Sequence, residues 1–340
     1  MTAITTRKLG RTGPTTSALG LGAMGMSDLY GPADEAESIA TIHAALDAGI
    51  TLIDTGDFYG MGHNELLIHQ ALRGRDRESV QLSVKFGAQR GPDGAWIGYD
   101  ASPAATKTAL AYTLKRLGTE YIDVYRPARL DPNVPIEETV GAIAEMVKAG
   151  YVRHIGLSEV GAATLRRAAA VHPISDLQIE YSLLSRTLEA EVLPTARELG
   201  IAVTAYGVLS RGLLSGHWSA DRAMAGTDFR GHSPRFQGEN LTHNLSLVEA
   251  LRAIAQAKGA TVAQVAIAWV AAQGEDIVPL VGARRRERLT EALGSLRVQL
   301  DAADLAAIEA AVPAGAAAGE RYAAAQMASL DSEQSAPGAH

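Results

Sequence analysis

Three residues of this chain could together hold a proton and deliver it to a carbonyl group. Asp54 and Tyr59 lie in Thr51-Leu-Ile-Asp-Thr-Gly-Asp-Phe-Tyr-Gly60, where an apolar run ends in a carboxylate and a tyrosine follows five residues later. Lys85 closes a second apolar run, Val80-Gln-Leu-Ser-Val-Lys-Phe-Gly87. A phenol has an ordinary pKa of about 10, and a buried ammonium nearby favours the phenolate and lowers that pKa. A carboxylate beside the lysine would hold the cation in place. The three residues therefore predict an acid apparatus for carbonyl reduction, although each of them alone is typical of a strand end.

These residues need a scaffold that brings strand ends together, and the chain repeats the pattern of one. Short β-rich runs alternate with longer helical stretches, which is typical of parallel β/α units. The predicted strands are Ser17–Ala23, Thr51–Thr55, Gln81–Phe86, Tyr121–Pro127, Val152–Ser158, Asp176–Tyr181, Ile201–Tyr206 and Asp276–Gly282. The predicted helices include Asp34–Ala48, Ser102–Leu117, Pro135–Ala149, Ala162–Val171 and Leu188–Leu199, and left-handed C-caps are expected at Gly49, Gly118, Gly150 and Gly200. Eight strands predict a closed (β/α)8 TIM barrel, with an open doubly wound sheet as the alternative.

We expect one domain followed by a tail. Residues 1–312 are predicted to form the barrel, with extra C-terminal helices and long loops at its C-terminal mouth. The segment Leu209–Asn244 is rich in Gly, Ser and Arg, and a loop of that length in a compact domain is usually a lid or a binding loop. Residues 313–340 are dominated by small and polar side chains. We therefore expect a tail that packs near the mouth and whose last dozen residues are mobile.

Composition narrows the class of protein. The chain has 340 residues, 47% of them hydrophobic, which is enough for a large core. It has no cysteine, which excludes disulfides and a thiol nucleophile, and its nine histidines form no ligand-spaced pair, so no metal site is predicted. The net charge of −7 disfavours a nucleic-acid or anionic-membrane partner. The first residues lack the apolar core of a signal peptide and no apolar run reaches membrane length, so we expect a soluble cytoplasmic protein. A homo-oligomer is compatible with this composition and is not specified by it.

Two further motifs bear on cofactor binding. Gly20-Leu-Gly-Ala-Met-Gly25 matches the dinucleotide pattern G-x-G-x-x-G, but no helix follows at once. A strand end that approaches a ligand is therefore favoured over a Rossmann loop. Arg284-Arg-Arg-Glu-Arg288 follows the eighth predicted strand, where a helix begins. Arginines at a helix start are unfavourable unless an anion binds there, and a phosphate would supply that reason. From these residues alone, a solvated charged turn is an equally good interpretation.

Seven segments in order resemble the aldo-keto reductase family, and the resemblance covers nearly the whole chain. They are Leu19-Gly-Leu-Gly-Ala-Met-Gly-Met26, Ile53-Asp-Thr-Gly-Asp-Phe-Tyr-Gly60, Val84-Lys-Phe-Gly87, Tyr121-Ile-Asp-Val-Tyr125, Ile155-Gly-Leu-Ser-Glu159, Gln178-Ile-Glu-Tyr-Ser-Leu183 and Gly282-Ala-Arg-Arg-Arg-Glu-Arg-Leu-Thr-Glu291. Arg235-Phe-Gln-Gly-Glu-Asn240 and Gly315-Ala-Ala-Ala-Gly-Glu-Arg-Tyr322 look like the medium-length bacterial and plant branch.

The resemblance implies a (β/α)8 barrel that binds NADPH across its C-terminal mouth and transfers hydride to an aldehyde or ketone. It places Tyr59 at the position of the general acid, with Lys85 and Asp54 as its supporting pair. The implied cofactor-binding residues are Gly22, Met24, Ser158, Gln178, Tyr206, Gly207, Leu209, Arg211, Gly282, Arg284, Arg288 and Glu291. Among them, Ser158 and Gln178 would hold the carboxamide, Tyr206 would stack on the nicotinamide, Arg284 and Arg288 would grip the 2′-phosphate, and Glu291 would meet the adenine amine. The residues expected to bind substrate are Tyr30, Phe58, Trp96, Arg126 and Ala128.

One departure from the family pattern concerns the site itself. The segment after the fourth strand normally carries a histidine beside the tyrosine, and here Ala128 takes that place in Tyr125-Arg-Pro-Ala-Arg-Leu-Asp131. The gap would weaken polarisation of the carbonyl or make room for a bulkier substrate, and some pyridoxal-reducing relatives look similar here. Two alternatives stay open: an NADP-dependent alcohol dehydrogenase or epimerase that works in the oxidative direction, and a poorly active subunit that senses NADPH. Val208 and Ala292 replace a proline and an asparagine that are usual in the family.

Overall fold

Eight parallel strands close into a barrel in the computed structural model, which describes residues 4–27, 29–222, 224, 226 and 228–334. The strands are β1 (Thr6–Lys8), β2 (Thr15–Ser17), β3 (Gly20–Gly22), β4 (Leu52–Gly56), β5 (Gln81–Phe86), β6 (Ala88–Arg90), β7 (Trp96–Tyr99), β8 (Ile122–Pro127), β9 (Val152–Ser158), β10 (Ile174–Glu180), β11 (Ala202–Tyr206) and β12 (Ile277–Gly282). The barrel order is β3-β4-β5-β8-β9-β10-β11-β12, with β12 paired back to β3. The prediction of a (β/α)8 barrel is confirmed, since all eight predicted strands are present in it.

Helices cover the outside of the barrel. They are α1 (Glu35–Asp47), α2 (His63–Leu72), α3 (Pro103–Leu117), α4 (Ile136–Lys148), α5 (Ala162–Val171), α6 (Val192–Leu199), α7 (Gly238–Ala257), α8 (Val262–Ala272), α9 (Arg286–Gly294), α10 (Ala302–Ala311) and α11 (Ala324–Met327). The helix α3 begins where predicted, since Ser102 accepts a hydrogen bond from the Ala105 amide and Pro103 occupies the first turn. It ends at Gly118, whose φ of 63° is the left-handed conformation that glycine adopts without strain. None of the described helices is long and apolar enough to cross a membrane.

The period of two along each strand decides which side chains fill the barrel. Leu52 and Val124 point inward and pack with Leu9, from the turn between β1 and β2, in a buried cluster that closes the lower end of the barrel. Side chains in between, such as Ile53 and Tyr125, belong to the larger core between strands and helices. Two residues further along β4, β8 and β11, the inward positions are polar and hold Asp54, Arg126 and Thr204. The functional site therefore begins where the apolar floor ends.

The long segment after β11 is only partly a loop. It contains short 3₁₀ turns at Ser210–Ser215, Phe229–His232 and Pro234–Phe236, but α7 already begins at Gly238. The prediction of a loop up to Asn244 is therefore wrong for its last seven residues. The first two turns of α7 expose Thr242 and His243, so the apolar period of that helix is visible in the sequence only further on.

The tail packs against the barrel near the mouth. Leu330 is buried, and Asp331 accepts a hydrogen bond from the Gly161 amide, at the N-terminus of α5, at 2.7 Å. The expectation of a mobile end covered residues 329–340. Within that segment Leu330 is buried and residues 331–333 are half-buried, whereas residues 335–340 lie outside the described part of the chain, so the mobility of this end stays a prediction.

Candidate active site

A buried triangle of polar side chains sits at the centre of the barrel. Asp54 and Lys85 lie on the neighbouring strands β4 and β5, and the Lys85 ammonium donates hydrogen bonds to Asp54 and, at 2.9 Å, to Gln178 Oε1. Gln178 in turn donates from Nε2 to the other oxygen of Asp54 at 2.7 Å. Each of the three side chains is at most 4% exposed. We call Asp54, Lys85 and Gln178 the central triangle.

Burial leaves Lys85 poised to change its charge. The pKa of Lys85 is lowered to about 8, because burial of the ammonium outweighs the opposing effect of Asp54. Arg126 below it lowers the pKa further. Near neutral pH, the central triangle therefore holds a cation that is mostly protonated but within reach of deprotonation.

Tyr59 stands beside the triangle and keeps its proton. It begins a 3₁₀ turn after β4, and the Lys85 ammonium lies 5.2 Å from the centre of its ring. The pKa of Tyr59 is raised well above 10, first by burial and next by Asp54, and Arg129 is the cation that opposes this most. The expectation of a lowered pKa is thus wrong, because loss of hydration outweighs the nearby cations. Tyr59 is a neutral phenol at pH 7 and can donate a proton.

Arg126 does not bind substrate at the mouth, which corrects the prediction for that residue. Its guanidinium is fully buried inside the barrel, where it pairs with Asp176 at 2.9 Å and donates to Ser83 Oγ at 2.8 Å. Ser83 donates in turn to Asp54 at 2.8 Å. The reason is the period of two along β8, since Arg126 points inward one layer below Ala128. Arg126 therefore supports the central triangle from beneath.

The other residues predicted to bind substrate gather around Tyr59. The Phe58 ring lies edge-on to Tyr59, with ring centres 4.8 Å apart, and to Trp96, at 5.7 Å. Tyr30 packs edge-on against Phe229 at 5.5 Å. Ala128 is buried and presents only a methyl group where the family pattern has an imidazole. The wall beside the proton donor is therefore aromatic and apolar.

One side of the site offers an unused polar atom. Ser158 lies opposite Gln178 in the β9–β10 register, and its hydroxyl is buried without a hydrogen-bond partner in the described part of the chain. A buried polar group without a partner costs free energy unless a ligand satisfies it. The amide of a nicotinamide ring would do so, and Tyr206 offers a ring nearby, its hydroxyl held by Glu159 at 2.7 Å. These residues fit the cofactor that the resemblance implies.

Glycines stand at the ends of three strands that border the mouth of the barrel. Gly22 and Gly282 are paired at the ends of β3 and β12, and a Cβ atom added at Gly282 would meet nothing within 4 Å. Met24 follows in a 3₁₀ turn, half-buried. At the end of β11, Gly207 has a φ of 66°, which favours glycine. The backbone leaves open space beside the ends of β3 and β12, as an extended cofactor requires.

The guanidinium of Arg211 points away from that space, contrary to the prediction that it contacts the cofactor. It pairs with Glu180 at 2.8 Å and donates to the carbonyl of Arg321 in the tail. Leu209 precedes it in the same turn, and Arg211 itself has a φ of 57°. The Arg211 side chain is therefore engaged within the protein, and the cofactor contact of Leu209 stays a prediction.

Three predicted phosphate and adenine residues meet at the start of α9. Arg284 donates to the carbonyls of Tyr30 and Pro32, each at 3.0 Å, and so ties the loop after β3 to the end of β12. Arg288 is 44% exposed in its side chain and pairs with Glu291 at 3.1 Å, and the same carboxylate contacts His217 at 3.1 Å. Arg288 is thus the accessible cation of this group, and Arg284 is largely engaged.

Sequence reasoning missed a second buried cluster, which we call the rim cluster: Glu159, Glu180, Arg211, Arg235 and Arg321. Arg321 of the tail pairs with Glu159 at 2.6 Å and with Glu180 at 3.4 Å. Burial raises the pKa of Glu159, but Arg321 outweighs it and holds that pKa far below its ordinary range. The only available signal was the Glu-Arg-Tyr motif of the tail, to which no role could be assigned. Tyr322, the next residue, places its hydroxyl 3.1 Å from that of Tyr206.

Comparison with known proteins supports the same family. A model of the aldo/keto reductase family matches residues 18–313. The chain is 44% identical over 318 residues to a probable aldo-keto reductase of Glycine max, an alignment that covers 93% of this chain and 91% of that protein. It is similar to the glycerol dehydrogenase of Gluconobacter oxydans (TM-score 0.82, 28% identity, 92% of this chain and 95% of the other). It is also similar to a holo-form aldo-keto reductase of Bacillus halodurans (TM-score 0.75, 26% identity, 92% and 97%).

Proposed function

The chain belongs to the aldo/keto reductase family, and we propose that it reduces an aldehyde or ketone with NADPH, with Tyr59 as the proton donor. The family establishes a nicotinamide-dependent oxidoreductase. The observation that carries the finer assignment is the central triangle beside a neutral Tyr59 at the mouth. Carbonyl reduction requires a proton donor, a cation near it and a carboxylate that orients the cation.

The chain's own residues would divide the work as follows. Tyr59 delivers its proton to the carbonyl oxygen as negative charge develops there. Lys85 supplies positive charge close to that proton, and Asp54 and Gln178 hold the ammonium in one position inside a dry site. A nicotinamide cofactor, when bound, supplies the hydride. Ser158 and Tyr206 are the residues best placed to orient its ring, and the preorganised charge stabilises the alkoxide.

The raised pKa of Tyr59 favours the reductive direction. A protonated phenol is ready to donate, whereas oxidation of an alcohol needs the phenolate as base. The oxidative reading remains the second candidate because of the similarity to a glycerol dehydrogenase. It would use the same residues in reverse, and its rate should rise steeply toward alkaline pH.

The choice of NADPH over NADH rests on Arg288. Its guanidinium is accessible at the start of α9, beside Arg284 and Arg285, so this corner of the mouth is positively charged. A second phosphate on the ribose would satisfy that charge. Arg284 would contribute from a fixed position, since it already holds the loop after β3.

The test is NADPH consumption with a panel of small, aromatic and bulky carbonyl compounds, followed by Tyr59→Phe. A positioned acid contributes roughly 10²- to 10⁴-fold in rate. Tyr59→Phe should lose at least that much turnover and keep its affinity for NADPH, while the exposed Tyr112→Phe serves as the matched control. Turnover above about a tenth of wild type in Tyr59→Phe would contradict that range and place the acid elsewhere. NADPH binding without turnover of any carbonyl would indicate a cofactor sensor instead.

A further inference from the structure

The residue after the missing histidine is an arginine that forms no ion pair within the described part of the chain. Arg129 follows Ala128 just beyond β8 and is half-buried. Its Nη1 atom donates to the Ala128 carbonyl at 2.7 Å, and Nη2 lies 3.4 Å from the Tyr322 hydroxyl. A guanidinium has five N–H donors. Among the described residues these are its hydrogen bonds, and no carboxylate oxygen comes within 4.0 Å of it.

Glu159, whose charge acts on Arg129, has no hydrogen-bonding capacity left for it. One oxygen of Glu159 accepts from the Glu180 amide at 2.9 Å, from Tyr206 at 2.7 Å and from Arg321 at 3.0 Å. The other oxygen accepts from Arg321 and Ser332, both at 2.6 Å. The rim cluster is therefore saturated by its own cations. Among the described residues, Arg129 differs from the arginines of the rim cluster because some of its N–H donors have no acceptor and it forms no ion pair.

Arg129 faces the reacting part of the site. Its neighbour Tyr322 touches Tyr206 at 3.1 Å, and Tyr206 is the ring expected beside the nicotinamide. Arg129 also opposes the rise in the pKa of Tyr59, so its positive field reaches the proton donor. An unpaired charge in a partly dry site is costly, and an anion that enters the mouth would remove that cost. Ala128, next to Arg129, is buried and presents only a methyl group.

We propose that Arg129 binds an oxyanion on the substrate, so that the preferred substrates are aldehydes or ketones that carry a carboxylate or a phosphate. The planar guanidinium matches both groups with two parallel hydrogen bonds. This inference rests on the proposed carbonyl reduction and assigns its substrate class. Arg129 selects the substrate through a group that does not react.

The experiment compares matched substrate pairs in wild type and in Arg129→Gln. One pair is 4-carboxybenzaldehyde and its methyl ester, which tests a carboxylate; the other is pyridoxal 5′-phosphate and pyridoxal, which tests a phosphate. A charge-assisted contact corresponds to roughly 10- to 150-fold in affinity. The ratio of kcat/KM for the charged over the neutral member should fall by about that factor in Arg129→Gln, and the pair with the larger fall identifies the oxyanion.

Two further variants keep the result unambiguous. Arg129→Lys keeps the charge but loses the planar fork, so its ratio should lie between those of wild type and Arg129→Gln. Arg153→Gln makes the same substitution on an exposed side chain at the start of β9, at the end of the barrel away from the mouth. It controls for the change in net charge.

Three outcomes would overturn the proposal. One is a wild type that prefers the neutral member of both pairs. Another is an equal loss for charged and neutral substrates in Arg129→Gln, which would make Arg129 a partner of the reacting carbonyl. The third is a wild type that consumes no NADPH with any of the four compounds, which would remove the proposed function as well. Turnover of the neutral compounds alone would leave the proposed function intact and the assignment of Arg129 wrong.

Discussion

Two of the clusters in which the protein buries charge are built around different cations. The central triangle sits inside the barrel and is built around Lys85, which pairs with Asp54. The rim cluster sits where β9 and β10 end and is built from three arginines that converge on Glu159 and Glu180. Both are almost fully enclosed. The two clusters differ in what their cations can do.

Burial lowers the pKa of a cation in each cluster, Lys85 and Arg321, but only Lys85 can lose its proton at an accessible pH. The pKa of Lys85 falls to about 8, chiefly because the ammonium is desolvated. Burial also lowers the pKa of Arg321, but Glu159 and Tyr206 outweigh it and raise that pKa well above its ordinary value. A guanidinium stays charged at every accessible pH, whereas a buried lysine can exchange its proton. The lysine lies where protons move, and the arginines lie where charge must stay fixed.

Arg321→Met should give the largest effect on stability. It removes the arginine that pairs with Glu159, and removing one partner of a buried ion pair typically costs about 3–5 kcal/mol. We expect urea denaturation to show a loss of that order, together with faster proteolysis within residues 322–334. Arg321→Lys, which keeps a charge, should lose less. Unchanged denaturation and proteolysis in Arg321→Met would show that the rim cluster does not hold the tail.

Arg288→Ala tests an arginine of the opposite kind, exposed and free to meet a ligand. Its loss should weaken NADPH binding by roughly 10- to 150-fold, since a charge-assisted contact contributes about 1.5–3 kcal/mol. NADH binding should change little because it lacks the 2′-phosphate. The measurement is a fluorescence titration with each cofactor, with Arg286→Ala, a neighbour paired with Glu37 at 2.9 Å, as control. An equal loss for both cofactors would place Arg288 away from the 2′-phosphate.

Ala128→His probes the border between the two regions. An imidazole at this position should reach the carbonyl oxygen beside Tyr59 and speed the reduction of small aldehydes by about 10-fold, or about 1.4 kcal/mol. The same ring should clash with a bulky substrate, whose reduction should slow. The measurement is kcat/KM for one small and one bulky carbonyl compound in both proteins. A uniform rise would reject the idea that Ala128 makes room for a larger substrate.

The smallest expected effect is on the alkaline limb of the pH profile, that is, on the pH above which kcat/KM falls. If the Lys85 charge supports proton transfer, kcat/KM for reduction should be constant below about pH 8, the pKa of Lys85, and fall above it as the ammonium is lost. Arg321→Lys should leave that limb in place, because the rim cluster takes no part in the chemistry. Asp54→Asn should move the limb to lower pH, since Asp54 raises the pKa of Lys85. A shift of the alkaline limb in Arg321→Lys would show that the rim cluster influences the pKa of Lys85.

Much of the barrel could be predicted from the sequence because its signals are local. Glycines that end helices and short apolar runs placed all eight barrel strands, and the central residues Asp54 and Lys85 followed from their positions at strand ends. Arg126 was misplaced because it and Ala128 point to the same face of the strand, two residues apart, and the sequence does not show which of the two layers lies at the mouth. The pKa of Tyr59 was misjudged because the degree of desolvation is not visible in a sequence.

The rim cluster and Arg129 depend on contacts that no local pattern encodes. Arg321 and Glu159 are 162 residues apart in the chain. Their pairing needs the finished barrel and the path of the tail over its mouth. The role proposed for Arg129 depends on the absence of an ion pair for it in the part of the chain that the structure describes.

The span between Glu159 and Arg321 also bears on the lifetime of the folded state. A contact that closes 162 residues forms late, because the strands on either side must pair first. Interactions absent from the folding transition state slow unfolding and leave the folding rate almost unchanged. Weakening this contact should therefore shorten the half-life of the native barrel under denaturing conditions without delaying its refolding. We therefore expect the tail to stabilise the barrel kinetically, through a contact that forms after the barrel has closed.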